Sequence, residues 1–295
     1  MKYFLYWGCS LEGTGANFLV SLNPVCEALG IEFEEIEDWN CCGATFPLAV
    51  DNLLAMTGPT RVLVEARAHG ERLATLCAIC YNVLKRTNHF LQSDDEKRDR
   101  INYFIEADYG GDLLVLHFLE ILRDELGFEA LKQRVDQARK ETGKSLEGLK
   151  VAPYYGCLLL RPEKELQLDN CEDPRILEDL LAAIGCDPVD FSHRVECCGS
   201  YLLVTSPDLA ADMSYAVLQS AAHNGAHLLV TACPLCQYNL DHKQAEMARQ
   251  HPGFKPLPVL YFTQLMGLAL GLASDDWGWE LHHVDPRPVL AGHGL

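Results

Sequence analysis

Apolar residues in this chain fall in short continuous runs that end at a glycine or a cysteine, with helical patterns between them. Lys2–Tyr6 (KYFLY) and Lys150–Tyr155 (KVAPYY) read as buried strands ending at Gly-Cys. Leu73–Leu76 and Leu228–Thr231 read as strands ending at Cys-x-x-Cys. The intervening period predicts helices over Ala16–Leu29, Pro47–Met56 with Pro59–His69, and Leu209–Asn224, with Asp208 as an N-cap and Gly70 and Gly225 as stops. Strands alternating with helices imply an α/β fold with parallel sheets, which bind ligands at the carboxyl ends of their strands. The cysteines sit at those ends.

Two further stretches differ in character. Asn88–Gly148 carries the charged run Ser93–Arg100 and then a helical pattern through Leu113–Leu126, and reads as a helical connector. After His251 a proline-rich stretch leads to an apolar helix expected at Leu260–Leu272. The apolar run around it, Val259–Ala273, has 15 residues. A membrane span needs about 20, so the run is expected to be buried in the protein. The tail beyond it holds Trp277, Trp279, His282, His283 and His293. It is expected to be solvated or packed on a partner; the Leu260–Leu272 helix and the two tryptophans offer candidate docking surface, with closure of the second half's core as the alternative for the helix.

The chain repeats itself. Its first part reads C-x31-CC-x34-CxxC, with Cys9, Cys41, Cys42, Cys77 and Cys80. Its second reads C-x39-CC-x34-CxxC, with Cys157, Cys197, Cys198, Cys233 and Cys236. The neighbours repeat as well: YWGCSL (6–11) matches YYGCLL (154–159), NCCGAT (40–45) matches ECCGSY (196–201), and LATLCAIC (73–80) matches LVTACPLC (229–236). The organisation expected is a first half at 1–87, a connector at 88–148, a second half at 149–250 and a C-terminal helix and tail at 251–295. Cys26, Cys171 and Cys186 have no repeat partner and read as ordinary free thiols.

Charge narrows the functions. Lys and Arg number 24 against 42 Asp and Glu, a net −18, which argues against nucleic acid and anionic membrane surfaces. The start lacks the layout of a secretory signal. A cytoplasmic protein with no membrane span is therefore expected, and its 13 cysteines point to metal or redox chemistry instead of disulfides.

Three chemistries compete for those thiols. Zinc wants four ligands, usually from paired knuckles, whereas each copy here offers five thiolates, two of them adjacent and poorly placed to chelate one ion. A dithiol redox site would use the Cys-x-x-Cys but leave the other cysteines unexplained. Iron–sulfur clusters fit best, because they need several thiolates converging from loops. Five thiolates suggest either a spare ligand on an ordinary cubane or a larger, non-cubic cluster. Gly43 and Gly199 after each pair let the backbone come close. Gly13-x-Gly15 has Phe18 where a dinucleotide loop would place its third glycine, and it reads as the turn beside Cys9. His69, His117, His193, His223 and His227 read first as structural residues, with a proton-donating role near a cluster as the alternative. Arg161, Lys164, Arg194 and Lys85, near the cysteine loops, could form a basic pocket, although solvation is the ordinary fate of such residues.

These motifs resemble the family of cysteine-rich CCG-domain proteins to which the B subunit of heterodisulfide reductase belongs. The resemblance covers both CCG copies, the Tyr154–Pro162 segment and the C-terminal helix. It implies two α/β halves related by a pseudo-twofold axis, each holding a non-cubane [4Fe-4S] cluster. Carried over residue by residue, it implies that Cys9, Cys41, Cys42, Cys77 and Cys80 ligate the first cluster, and Cys157, Cys197, Cys198, Cys233 and Cys236 the second. It further implies reduction of a disulfide, of the coenzyme M–coenzyme B type, to two thiols between the clusters. The implied partners are the other two components of heterodisulfide reductase, one small and ferredoxin-like, the other flavin-containing. The alternative within the same resemblance is an electron-transfer component of a bacterial redox or bifurcating complex with another disulfide or acceptor.

Overall fold

The computed structural model describes residues 2–36, 39–46 and 52–295. Two four-stranded parallel sheets form its frame. In the first, β1 (Lys2–Tyr6), β2 (Glu32–Glu35), β3 (Arg72–Thr75) and β4 (Leu114–His117) lie in the order β2-β1-β3-β4. In the second, β5 (Lys150–Tyr154), β6 (Asp187–Pro188), β7 (Leu228–Thr231) and β8 (Val259–Tyr261) lie in the order β6-β5-β7-β8. The two orders are the same permutation, so the sequence repeat is a repeat of topology.

Helices connect the strands. In the first half they are α1 (Ala16–Leu29), α2 (Thr57–His69), α3 (Ala78–Ser93), α4 (Asp95–Ile105), the short α5 (Phe118–Glu120) that runs on as a wide turn to Leu126, and α6 (Phe128–Thr142). In the second they are α7 (Glu163–Leu166), α8 (Ile176–Ala183), α9 (Pro207–His223), α10 (Pro234–His242), α11 (Gln244–Gln250), α12 (Phe262–Ala269) and α13 (Arg287–Ala291). α1 matches its predicted span, and Gly30 ends it in the left-handed conformation. α9 begins earlier than expected: Ser206 stands at its N-cap, Pro207 opens it, and Asp208 lies in its first turn. The helix expected over Pro47–Met56 falls at 47–51 outside the described residues; Leu53–Met56 is a short 3-10 turn leading into α2.

Two apolar stretches expected to be wholly helical begin as strands. Leu113–Leu126 opens with β4, and Leu260–Leu272 overlaps β8 before turning into α12. Each adds the fourth, edge strand of its sheet; β8 is buried throughout, whereas β4 alternates, with Val115 and His117 buried and Leu114 exposed. The tail is also corrected. Trp277 and Trp279 are buried, not displayed: the Trp277 ring covers Gly267 so closely that a Cβ there would lie 2.0 Å from it. Gln264 donates to the Trp277 carbonyl, and Trp279 Nε1 donates to the Ser274 carbonyl at 2.7 Å. Among the described residues no helix is long and apolar enough to cross a membrane.

The halves meet through α1 and α12. Phe18 stacks on Tyr261 at 4.2 Å, Ser21 and Thr263 share a 2.7 Å hydroxyl–hydroxyl bond, and His282 Nε2 meets Asn17 Nδ2 at 3.0 Å. α3 reaches across too: Asn82 Nδ2 donates to the carbonyls of Leu158 and Arg161, each at 2.7 Å, and Tyr81 donates to the Leu166 carbonyl at 3.0 Å. These bonds fix the second half's first cysteine loop against the first half's Cys-x-x-Cys helix.

Candidate functional site

Each set of five cysteines hangs from the carboxyl ends of three adjacent elements. Cys9 and Cys157 lie in the turns that follow β1 and β5. Cys77 and Cys233 are the residues just before α3 and α10, and Cys80 and Cys236 sit in the first turns of those helices. A thiolate there faces free backbone N–H groups and the positive end of the helix dipole. The adjacent pairs Cys41-Cys42 and Cys197-Cys198 sit on loops tied back to the strands by tyrosine. Tyr6 donates to the Asn40 carbonyl at 3.0 Å, and Tyr154 to the Glu196 carbonyl at 2.7 Å.

The thiols are free and close together. Cys9 and Cys41 sulfurs are 3.9 Å apart, Cys42 and Cys80 3.6 Å, and Cys198 and Cys236 3.5 Å. Cys157 bonds to Cys197, and the two thiols of each Cys-x-x-Cys bond to each other. Among the described residues no group of three or more Cys, His, Asp or Glu is placed to hold a single metal ion; the thiols pair off instead. Cys26, Cys171 and Cys186 lie apart, with no thiol of either set acting on them.

Crowding sets the protonation. The sulfur–sulfur contact between Cys42 and Cys80 brings Cys42 down to about 7 and pushes Cys80 up. Bonds from Cys157 and Cys198 bring Cys197 down to about 2, and Cys157 rises in exchange. Crowded thiols cannot all ionise without a compensating positive charge. Backbone donors add to this: Gly43 N–H points at Cys41 sulfur at 3.4 Å and Gly199 N–H at Cys197 sulfur at 3.3 Å. Gly8 and Gly156 have φ of +71° and +65°, and a Cβ on them would lie 2.9 Å from Cys80 sulfur and 3.2 Å from Cys236 sulfur. Only glycine permits both that conformation and that approach.

The sets face each other. Ala78 N–H, beside Cys77, donates to the Ala232 carbonyl, beside Cys233, at 3.2 Å. Ala78 and Ile79 of the first half line a small cavity with Cys157, Cys198, Cys233 and Cys236 of the second. Tyr201 donates to the Ala44 carbonyl at 2.5 Å, so its hydroxyl bridges the two CCG loops. Its pKa is pushed up to about 12, by burial first and then by Cys233, Cys157 and Cys42. Tyr201 is missed from sequence because its repeat partner is Thr45, not another tyrosine. Another repeat is legible once the strands are known: Val115-Leu116-His117-Phe118 and Val259-Leu260-Tyr261-Phe262 occupy the same place at β4 and β8.

Four of the five histidines singled out have structural partners, and His223, at the end of α9, is exposed. His117 donates from Nε2 to the Leu76 carbonyl at 2.9 Å and accepts the Leu119 N–H at Nδ1. His69 pairs with Glu65, His193 with Ser192, and His227 Nδ1 accepts the Lys150 N–H. In the tail, His282 bonds Gln264 as well as Asn17, and His283 meets His242 at 3.0 Å. The basic residues are also engaged. Lys85 binds Glu120, Arg161 binds the Val195 and Cys171 carbonyls and Glu172, and Arg194 is ringed by Asp173, Glu178 and Asp190. These three do not form the open basic pocket that the sequence suggested; Lys164 lines a shallow surface depression with Glu163, Gln167 and Asp169.

Comparison with known proteins agrees with the repeat. Residues 3–85 and 151–241 match the family described as the cysteine-rich domain, CCG. Over 96% of the chain and 97% of the relative, it is 32% identical to the membrane anchor component of the 8-methylmenaquinol:fumarate reductase of Wolinella succinogenes. Over 98% of the chain and 96% of the relative, it is 28% identical to the B subunit of the ferredoxin/F420H2-dependent CoB-CoM heterodisulfide reductase of Methanosarcina acetivorans. An Archaeoglobus profundus protein named as similar to the B subunit of heterodisulfide reductase is 27% identical, over 92% of the chain and 91% of the relative. A hypothetical protein of known structure from Helicobacter pylori shares the fold, with TM-score 0.74 and 13% identity over 96% of this chain; the chain spans 51% of that protein.

Proposed function

The chain belongs to the cysteine-rich CCG-domain family that includes the B subunit of heterodisulfide reductase, and from that premise we propose that it is the iron–sulfur component of a complex that reduces a disulfide to two thiols. The observation that carries this reading is the pair of five-thiol sets facing each other across the join of the halves. Cys9, Cys41, Cys42, Cys77 and Cys80 would hold one non-cubane [4Fe-4S] cluster, and Cys157, Cys197, Cys198, Cys233 and Cys236 the other. The clusters would supply one-electron steps.

The protein's own residues have definite work in this scheme. The Gly43 and Gly199 N–H groups and the first turns of α3 and α10 stabilise negative sulfur. Ala78, Ile79 and Leu158 keep the space beside the second set apolar. Tyr201 holds the two CCG loops at a fixed spacing and presents a hydroxyl between the sets. Splitting a disulfide consumes two electrons and two protons and yields two thiols, so one electron from each side balances the reaction. A docked donor must supply them; a ferredoxin-like protein, fed by a flavin-containing one, is the partner proposed. A cytoplasmic setting suits a chain whose 13 cysteines are all free.

A second reading is favoured by the Wolinella relative, whose name places it in a quinol–fumarate system. In it, the same two centres relay electrons within a larger redox complex without reducing a disulfide. The test is anaerobic purification, iron and sulfide analysis, and assay of the complex against a panel of disulfides with a reduced donor. About eight irons per chain and turnover of a disulfide are expected. Zinc alone, or iron in one set only, overturns the cluster assignment; full iron with no disulfide reduced favours the relay.

A further inference from the structure

The two thiol sets differ in how they meet the solvent. Of the ten thiols only Cys9 and Cys41 are exposed, and both belong to the first set. Their sulfurs lie 3.9 Å apart, so they form one open edge. Their counterparts Cys157 and Cys197 are half-buried, and the other six are buried. Tyr201 lines the cavity with four thiols of the second set, whereas Thr45 stands at that position in the first half.

The surface beside the open edge is unusual. The first CCG loop rests on the first turn of α2: Asn40 Nδ2 donates to the Gly58 carbonyl at 2.9 Å, and a Cβ on Gly58 would lie 3.5 Å from the Cys41 carbonyl. The start of α2 and the facing side of α4 enclose a depression of about 290 Å³, lined by Leu53, Leu54, Thr57, Arg100, Ile101 and Phe104. Large apolar side chains stand open there: Leu54 is 67% exposed, Phe104 60%, and the adjacent Tyr103 89%. Arg100, Tyr103 and Phe104 share one face of α4 by their spacing. Lys97 and Arg98 on the same helix are paired with Asp94 and Asp95, but Arg100 meets no carboxylate among the described residues. Nor does the exposed Arg61, one turn along α2 from Thr57. Exposed aromatics with arginine are the composition of an interface core. In a chain of net charge −18, two unpaired arginines at its rim fit an acidic partner.

We propose that the electron donor docks on this α2–α4 surface and delivers electrons to the first centre, and that it is a redox protein presenting carboxylates around its own cluster. This rests on the reading that both sets hold iron–sulfur clusters. Electron transfer between proteins weakens steeply with distance, so a donor is best placed where a centre comes to the surface, and Cys9 and Cys41 mark that place. Each transfer oxidises the donor and reduces the first centre by one electron, with no bond made or broken. The second centre, which has no exposed thiol, is filled through the first across the join of the halves. Such redox encounters are small, below about 1,200 Å² of buried surface, and charge-guided ones weaken as salt rises.

The experiment is stopped-flow reduction of the anaerobic whole protein by a reduced acidic [4Fe-4S] ferredoxin and, separately, by reduced methyl viologen, with iron per chain measured on every sample. Arg100→Glu and Phe104→Glu should keep their iron and their viologen rate and lose about tenfold or more in the ferredoxin rate. Val204→Glu, at a position 93% exposed just after the second CCG loop, should leave both rates alone. Arg100→Glu carries the test if Phe104→Glu fails to fold. Cys198→Ser should still accept electrons quickly from the ferredoxin, and Cys41→Ser should not. Unchanged ferredoxin rates in iron-loaded Arg100→Glu and Phe104→Glu, or slowing by Val204→Glu in their place, overturn the inference alone. If Phe104→Glu abolishes binding to phosphatidylcholine vesicles or self-association but not ferredoxin reduction, the surface belongs to lipid or to a second copy, and the inference fails. Wild-type protein without iron overturns the cluster reading and this inference with it.

Discussion

Replacing Gly8 by alanine separates backbone strain from damage to a thiol set. Gly8 has φ +71°, and Gly30, at the end of α1, has φ +67°. An alanine in either place enters the left-handed region, at roughly 1–2 kcal/mol. At Gly30 nothing lies within 4 Å of the new Cβ. At Gly8 the Cβ would lie 2.9 Å from Cys80 sulfur and 3.2 Å from the Tyr6 ring. Neither neighbour yields easily, since Cys80 is locked in the first turn of α3 and Tyr6 is bonded to the Asn40 carbonyl. Overpacking of this kind adds about 1–3 kcal/mol, for a total of about 2–5 kcal/mol at Gly8 against about 1–2 at Gly30. Anaerobic denaturant unfolding and iron per chain are the assays. Both variants should unfold at lower denaturant, Gly8→Ala further than Gly30→Ala, and only Gly8→Ala should lose iron, from the first set. A Gly8→Ala protein with full iron and a midpoint no lower than that of Gly30→Ala would refute the reasoning.

Cys41→Ser and Cys198→Ser should each cost the iron of one set, whereas Cys26→Ser and Cys171→Ser should keep both; iron loss from Cys26→Ser would show that the first set is wrongly drawn. His117→Phe leaves the buried Leu76 carbonyl without its donor and should destabilise the fold by about 1–3 kcal/mol with iron retained, measured by denaturant midpoint. Burial holds His117 down to about 3 and His282 down to about 4, so both stay neutral in the folded chain. Unfolded histidine takes up its proton near pH 6.5, so stability is intact above about pH 6.5 and falls as the pH drops from there toward those values, by up to about 1.4 kcal/mol per pH unit for each histidine. His282→Gln should flatten that dependence; identical slopes in variant and wild type would count against it.

The sequence alone determined the repeat, the two thiol sets and the α/β class. Those are properties of local pattern: four apolar strands ending at cysteine, matched spacings, and loops with glycine at the same offsets. It went wrong where an apolar run was long enough to read either way. Val259–Ala273 and Leu113–Leu126 each contain a strand of three or four residues that runs directly into a helical turn, too short to show a strand period before the helix begins. It misjudged Trp277 and Trp279 for a related reason: whether an aromatic is displayed or covered depends on what packs on it, here Gly267 and Gln264 from α12. Only the tertiary structure could place the halves face to face, because that arrangement rests on contacts between residues more than 150 apart, such as Ala78 with Ala232 and Tyr201 with Ala44.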